Sequence, residues 1–255
     1  MQKTINVNCR YEYGYVCYTI QWGAEMNKLK TLSGAQLKYI AFTTMLIDHV
    51  NKALIYPNLN GGILLVISDI LWRIAFPIFI FLLIEGYFRT TNRWKYLGML
   101  LLFGIISEIP YDMFTTASYF EPNGNNIMFT LALVLVIIWI IDTLKEKMGV
   151  RWRILWYFIS AVIVGAGCLS AMILGLDYEY HAVLIGYFLY IFHKKPVWAI
   201  PFCFLAMYKE PWALLGFGLT LTYNGERGRQ NKIVNYLFYP VHLFVLGMIK
   251  MYFGF

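Results

Sequence analysis

The sequence predicts an all-α fold: a polytopic membrane bundle of about nine (8–10) spanning helices, with its N-terminus in the cytosol. Three observations carry that prediction. The 255-residue chain is 60% hydrophobic and 18% aromatic, with a mean hydropathy of +0.58. Only 14% of its residues are charged, against about 25% in an ordinary soluble domain. Its lysines and arginines also fall in short clusters between long apolar runs.

Residues 1–32 are polar and dotted with tyrosine, and have neither an apolar h-region nor a small-residue cleavage site. They read as a dispensable tail rather than a signal peptide, and Met26 looks like a natural start just ahead of the first membrane helix. Residues 33–255 form one membrane domain. Apolar runs place helices over 35–56, 62–88, 94–113, 126–144, 153–176, 180–193, 196–209, 211–224 and 233–254. The segments 180–193, 196–209 and 211–224 are short and punctuated by Pro196, Pro201 and Pro211, a pattern compatible with half-spans or one broken helix. Gly61–Gly62 and Gly165–Gly167 are ordinary turn and close-packing signals.

The charges test this order. Lys28, Lys30, Lys38, Arg89, Arg93, Lys95, Lys145, Lys147, Arg151, Arg153, Lys194, Lys195, Arg227, Arg229 and Lys232 all share one side. The opposite connections carry Glu121, Asp177, Glu179 and Glu210, with Lys209 as their one base. That asymmetry sets the N-terminus inside and the C-terminus outside. It also explains the net charge of +7 without nucleic acid, since no basic stripe with interleaved aromatics exists. Cys9, Cys17, Cys168 and Cys203 form no CxxC pair and no zinc spacing, so neither a disulfide nor a metal is expected. No internal repeat is legible, which argues against a repeat-built transporter.

On this topology the polar residues gather toward the outer leaflet. Asp48 and His49 lie in the outer half of the first helix, Arg73 at similar depth in the second, and Glu108 and Asp112 at the outer end of the third. The outer loops add Asn125, Asn126 and Asp177, with His181 beside them, and the last helix adds His242. Ionisable groups at such depth are costly and mark sites of chemistry or transport. Several have a plain structural reading. Asp48 stands four residues before Lys52, and Glu85 four before Arg89, so both are candidate helical ion pairs. Glu108 and Asp112 are like charges on one face that need a shared partner, for which Arg73 is the candidate. Asp177 and His181 read as solvated loop residues, and His193 as an interfacial one. His49 has no partner on its own helix face. It is adjacent to Asp48, so their side chains diverge by about 100° and Asp48 cannot act as its triad carboxylate.

The runs LSGAQLKYIAFTTMLIDHV (32–50), WRIAFPIFIFLLIEGYFRTTNRWKYLGMLLLFGIISEIPYDM (72–113), NNIMFTLAL (125–133), DYEYHAVLIGYFLYIF (177–192) and NYLFYPVHLFVLGMI (235–249) closely resemble the TraX family. The resemblance extends from Ser33 to the C-terminus. The combination of IDH, R-x-AFP-x-F-x-F-x-L-x-EG and SEIP-x-D is specific. TraX is known for acetylating the N-terminus of conjugative pilin, and its family is grouped with membrane acyltransferases that draw on cytosolic acetyl-CoA. In that group an early-helix histidine is the catalytic residue, and His49 matches it. The resemblance implies reaction class more strongly than acceptor.

The expectation is therefore a multi-pass acetyltransferase of the bacterial inner membrane. It would take an acetyl group from acetyl-CoA to a peptide amine, protein or glycan hydroxyl at the outer face, without a metal. His49 acts as general base or as acyl-accepting nucleophile. Glu108 or Asp112 orients its ring, Arg73 or the amides of Asn125 and Asn126 meet the oxyanion, and His242 serves as a second proton carrier. Arg89, Arg93 and Lys95 form a basic cytosolic mouth for the anionic nucleotide head. The alternatives are a proton-coupled transporter or flippase built on the same cluster, and a membrane assembly factor in which the polar groups are structural. The oligomeric state is not legible.

Overall fold

The computed structural model describes residues 29–55 and 63–253. Most of the N-terminal tail, with Cys9 and Cys17, and the Gly61–Gly62 pair lie outside them. Nine α-helices follow in order among the described residues: α1 (Gly34–Val50), α2 (Ile63–Arg89), α3 (Arg93–Thr115), α4 (Ile127–Met148), α5 (Arg153–Ile173), α6 (Glu179–Ile191), α7 (Ala199–Ala206), α8 (Ala213–Thr220) and α9 (Lys232–Phe253). There is no strand among them, only two isolated bridges, Leu32 with Tyr223 and Asn125 with Leu176.

Each long helix has a local cause. α1 opens on a capping box: the Gln36 N–H donates to Ser33 Oγ, and the Ser33 N–H donates to Gln36 Oε1. The next free donors of that turn, the Gly34 and Ala35 amides, donate to the carbonyls of Glu226 and Arg227 at 2.8 and 2.9 Å. The α8–α9 connection thus completes the start of α1. At its other end α1 widens into a π turn over Asn51–Ile55, a deviation that clusters at functional sites. α4 is capped by Asn126 and ends at Gly149, with Lys145 and Lys147 in its last turn, where cations suit the helix dipole.

Four segments are long and apolar enough to cross a bilayer by themselves: Arg93–Thr115, Ile127–Met148, Val150–Ile173 and Ile233–Phe253. The exposed face of α5 (Ile154, Phe158, Val162, Leu169 and Ile173) forms an apolar stripe that water would not tolerate and lipid would. The chain is a membrane protein on these grounds. α7 and α8 have eight residues each, a rise of about 12 Å. Neither alone matches a hydrocarbon core of about 30 Å, so nine helices do not amount to nine full-length crossings.

Two buried clusters organise the packing. The larger spans α1, α2, α4, α5 and α6 and takes in α7 and α8. The smaller joins Ala53 of the π turn, Phe114 of α3, and Tyr239, Leu243 and Leu246 of α9. Glycine sets the closest approaches. A Cβ on Gly247 of α9 would stand 2.8 Å from the Met113 Cβ and 3.1 Å from the Phe114 amide nitrogen of α3. Residues of both clusters line the cavity described next.

Candidate active site

A cavity of about 150 Å³ is lined by Asp48, His49 and Lys52 from α1 and the π turn, Ala75, Phe76 and Phe79 from α2, Tyr111 and Phe114 from α3, Asp177 and Tyr178 from the α5–α6 connection, and Tyr239 and Leu243 from α9. It is the size of cavities that admit a benzene-sized guest and is smaller than the roughly 300–1,000 Å³ of a typical ligand pocket. A group of a few heavy atoms fits it; a nucleotide does not.

His49 is held by α9. Its Nδ1 lies 2.8 Å from His242 Nε2, and His242 Nδ1 lies 2.6 Å from the Phe238 carbonyl oxygen. The rings are nearly parallel, 12° apart with centroids at 5.0 Å, and Phe114 packs on His49 at 4.8 Å. A carbonyl can only accept, so His242 Nδ1 carries hydrogen. With both rings neutral, His242 Nε2 accepts from His49 Nδ1–H, and His49 Nε2 keeps its lone pair. That nitrogen lies 3.9 Å from Asp48 Oδ2, too far for a hydrogen bond. Asp48, 2% exposed, meets Lys52 Nζ at 2.9 Å in the spacing the sequence suggests.

The structure thus gives His49 a different orienting partner from the expected carboxylates. Glu108 accepts from the Asn126 side-chain amide, which also donates to the Gly104 carbonyl at 2.8 Å. Asp112 accepts from the Glu121 amide at 2.9 Å. The two carboxylates are met separately by the α3–α4 connection. Asn125 Nδ2 donates to the Leu174 carbonyl at 2.6 Å. Both asparagine amides therefore hold loops rather than face the cavity. Arg73 forms an ion pair with Glu210 of the α7–α8 connection.

Asp177 and Tyr178 correct the sequence reading in the other direction. Asp177 is half-buried and lines the cavity. Its carbonyl accepts from Thr130 Oγ1 at 2.7 Å, and its amide donates to the Asn125 carbonyl at 3.1 Å. Burial pushes its carboxyl up to about 6, with the Tyr178 amide and Lys52 pulling the other way. Tyr178 sits in the left-handed region at φ 61° and stacks on Phe76, with centroids 3.7 Å apart. His181 Nδ1 faces the Tyr178 carbonyl at 3.3 Å. Tyr111, Tyr178, Tyr239 and Phe114 carried no sequence signal beyond being aromatic.

A second polar set lies at the other end of α2 and α4. Asp142 accepts from Tyr87 at 2.6 Å and Tyr190 at 2.7 Å and pairs with Arg93 at 3.2 Å. Glu85 pairs with Arg89 at 3.1 Å and, unexpectedly, with His193 at 2.8 Å. Arg89 also donates to the Gly225 carbonyl at 2.7 Å, while Lys95 is exposed. Asp142 stands fifteen residues along α4 from Ile127, which lines the cavity, so the two sets are roughly 20 Å apart. No group of three or more metal-ligating side chains occurs among the described residues.

Comparison with known proteins adds the relationship. The TraX protein family model matches residues 33–250. A probable fimbrial assembly protein, FimC, of Dichelobacter nodosus is 28% identical over 249 residues, covering 89% of this chain and 99% of its own length. No solved structure matches.

Proposed function

Because this chain belongs to the TraX family, we propose that it is a membrane acetyltransferase that acts on a pilin-type or other surface acceptor. It takes the acetyl group from cytosolic acetyl-CoA and passes it to an amine or hydroxyl at the outer face of the bacterial cytoplasmic membrane. The relative named for fimbrial assembly supports the link to pilus biogenesis.

The observation that carries this reading is the hydrogen-bonded series from the Phe238 carbonyl through His242 to His49. It holds a neutral imidazole in the tautomer whose Nε2 can take a proton, beside a cavity of acetyl size. In the reaction the acceptor's N–H or O–H gives its proton to His49 Nε2 as the acceptor atom bonds to the thioester carbonyl carbon. The C–S bond then breaks, and the departing sulfur takes the proton from His49. His242 acts as the positioning residue for that base.

The basic end of α2 is the natural mouth for the nucleotide. Arg89 keeps a side-chain exposure of 49%, and Arg89, Arg93 and Lys95 can offer charge to phosphates. From there the pantetheine arm must cover roughly 20 Å to the cavity. The loop charges support a cytosolic N-terminus, which puts this mouth inside and His49 toward the outer leaflet.

The test is incubation of the purified protein in nanodiscs with radiolabelled acetyl-CoA and a peptide bearing a free N-terminus. Acetyl transfer or CoA release that His49→Ala lowers ~10²–10⁴-fold is the expected result. Turnover unaffected by His49→Ala, or none in the wild type, would remove the proposal. Proton-coupled movement of a solute without thioester cleavage would favour a transporter instead.

A further inference from the structure

We propose that Lys52 is the catalytic cation that meets the oxyanion of acyl transfer, with Asp48 as its positioning residue; this rests on the acetyltransferase reading above. An attacked thioester carbonyl gathers negative charge on its oxygen, and a fixed positive group there lowers the barrier most in a dry site. Arg73 is committed to Glu210 and is not among the residues lining the cavity. The Asn125 and Asn126 amides bind backbone and Glu108. Among the described residues that line the cavity, Lys52 is the one lysine or arginine.

Its placement suits the role. Lys52 follows His49 by three residues, so base and cation project from one side of the same helix end. The π turn over Asn51–Ile55 begins between them. The ammonium rests 2.9 Å from Asp48 Oδ2, and the Asp48 side chain is 4% exposed while that of Lys52 is 42% exposed. The buried carboxylate thus holds the head of an otherwise half-exposed lysine arm at the cavity wall. The other ionisable groups facing this space are Asp177 from the α5–α6 connection, Tyr111 from α3, Tyr178 beside α6 and Tyr239 from α9.

The step balances without a co-reactant. The acceptor's proton moves to His49 Nε2, and the acceptor's electron pair forms the new bond to carbon. The carbonyl π pair moves onto oxygen, where the Lys52 ammonium meets it and keeps its own proton. That pair returns as the C–S bond breaks, and the sulfur leaves with the proton held by His49.

The buried pair complicates a single substitution, because Lys52→Met alone leaves the Asp48 charge without this partner. The decisive variant is the double change Asp48→Asn with Lys52→Met, assayed in nanodiscs with radiolabelled acetyl-CoA and a free-amine peptide. The expected result is a protein that elutes and melts like the wild type, with KM for acetyl-CoA unchanged and kcat lowered ~10²–10³-fold. Asp48→Asn alone, which keeps the ammonium but loosens its hold, lowers kcat by less than the double variant does, with KM for acetyl-CoA unchanged. If the double variant fails to fold, Lys52→Arg and Lys52→Gln decide: the first keeps at least a tenth of kcat and the second does not. A double variant, or Lys52→Gln, that turns over at the wild-type rate while His49→Ala is dead overturns the Lys52 assignment and leaves the acetyltransferase reading intact. A wild type that cleaves no acetyl-CoA removes both.

Discussion

The imidazoles of His49 and His242 are 193 residues apart in sequence and 2.8 Å apart in space. One comes from the end of the first helix and the other from the middle of the last. Their bond, backed by the Phe238 carbonyl, decides which nitrogen of His49 carries hydrogen. A buried aspartate fixes an imidazole by the same kind of bond in a hydrolase triad; here the partner atom belongs to a second ring.

His242→Ala should therefore damage turnover while leaving the fold intact. Without an acceptor at His49 Nδ1, both tautomers become populated and the ring is free to turn. The acetyl-transfer rate should fall ~10²-fold or more, with KM for the donor little changed. His242→Gln, whose amide oxygen can still accept, should recover part of the rate. Steady-state kinetics on the two variants checks this.

Asp177 should leave a signature in the pH dependence of stability. Its folded value of about 6 lies above the ordinary 3.8, so the native state holds the proton more tightly than the unfolded chain. The stability it contributes is full below about pH 4, declines as pH rises through 6, and is gone above that. Thermal melts of the wild type should lose on the order of 1–3 kcal/mol across that window. Asp177→Asn should remove that slope, and identical slopes in the two proteins would count against a buried, proton-holding carboxyl.

Gly247→Ala should push α9 away from α3. The added Cβ would meet Met113 and the Phe114 amide at 2.8–3.1 Å, contacts that only a backbone shift relieves. A loss of about 1–3 kcal/mol is expected, with reduced transfer because Phe114 and His242 both touch His49. Gly218→Ala, where a Cβ would meet nothing within 4 Å, should instead be neutral or stabilising by ~0.5–1 kcal/mol. Differential scanning fluorimetry and the transfer assay separate the two.

Asp142→Leu should cost stability at the opposite end of the bundle. Two tyrosine hydroxyls and Arg93 lose their shared acceptor, and Tyr87 is 1% exposed. Each buried group left unmet costs about 1–3 kcal/mol. The melting temperature should drop well below that of Asp142→Asn, which keeps one acceptor oxygen.

The helices were legible because apolar runs broken by Pro, Gly and charge clusters are a one-dimensional signal. Observed ends fall within a few residues of the expected ones for α2 to α6 and α9, and for α1 once the π turn to Ile55 is counted with it. α7 and α8 are shorter than expected, since Pro196 and Pro211 open turns ahead of them rather than whole spans, while Pro201 sits in the first turn of α7. His49 was legible because a lone imidazole in an apolar helix stands out. Its partner was not, because the meeting of α1 and α9 is a tertiary fact. Glu108 and Asp112 were misread as orienting groups because nothing local shows that the α3–α4 connection folds back to offer them Asn126 and the Glu121 amide. Asp177 looked like a solvated loop residue. It is half-buried because Asn125 and Thr130 tie its backbone down beside the cavity.

The caps on α1 have a consequence for the order of biogenesis. Its first turn is finished by the carbonyls of Glu226 and Arg227, roughly 190 residues downstream, and the ring that steadies His49 comes later still. At about 5–20 residues per second of synthesis, the helix that leaves the ribosome first waits on the order of 10–40 s for those pieces. A nascent chain interrupted before residue 226 already contains its reactive histidine but not the parts that aim it. His49 gains its partner ring only once the last helix has been made.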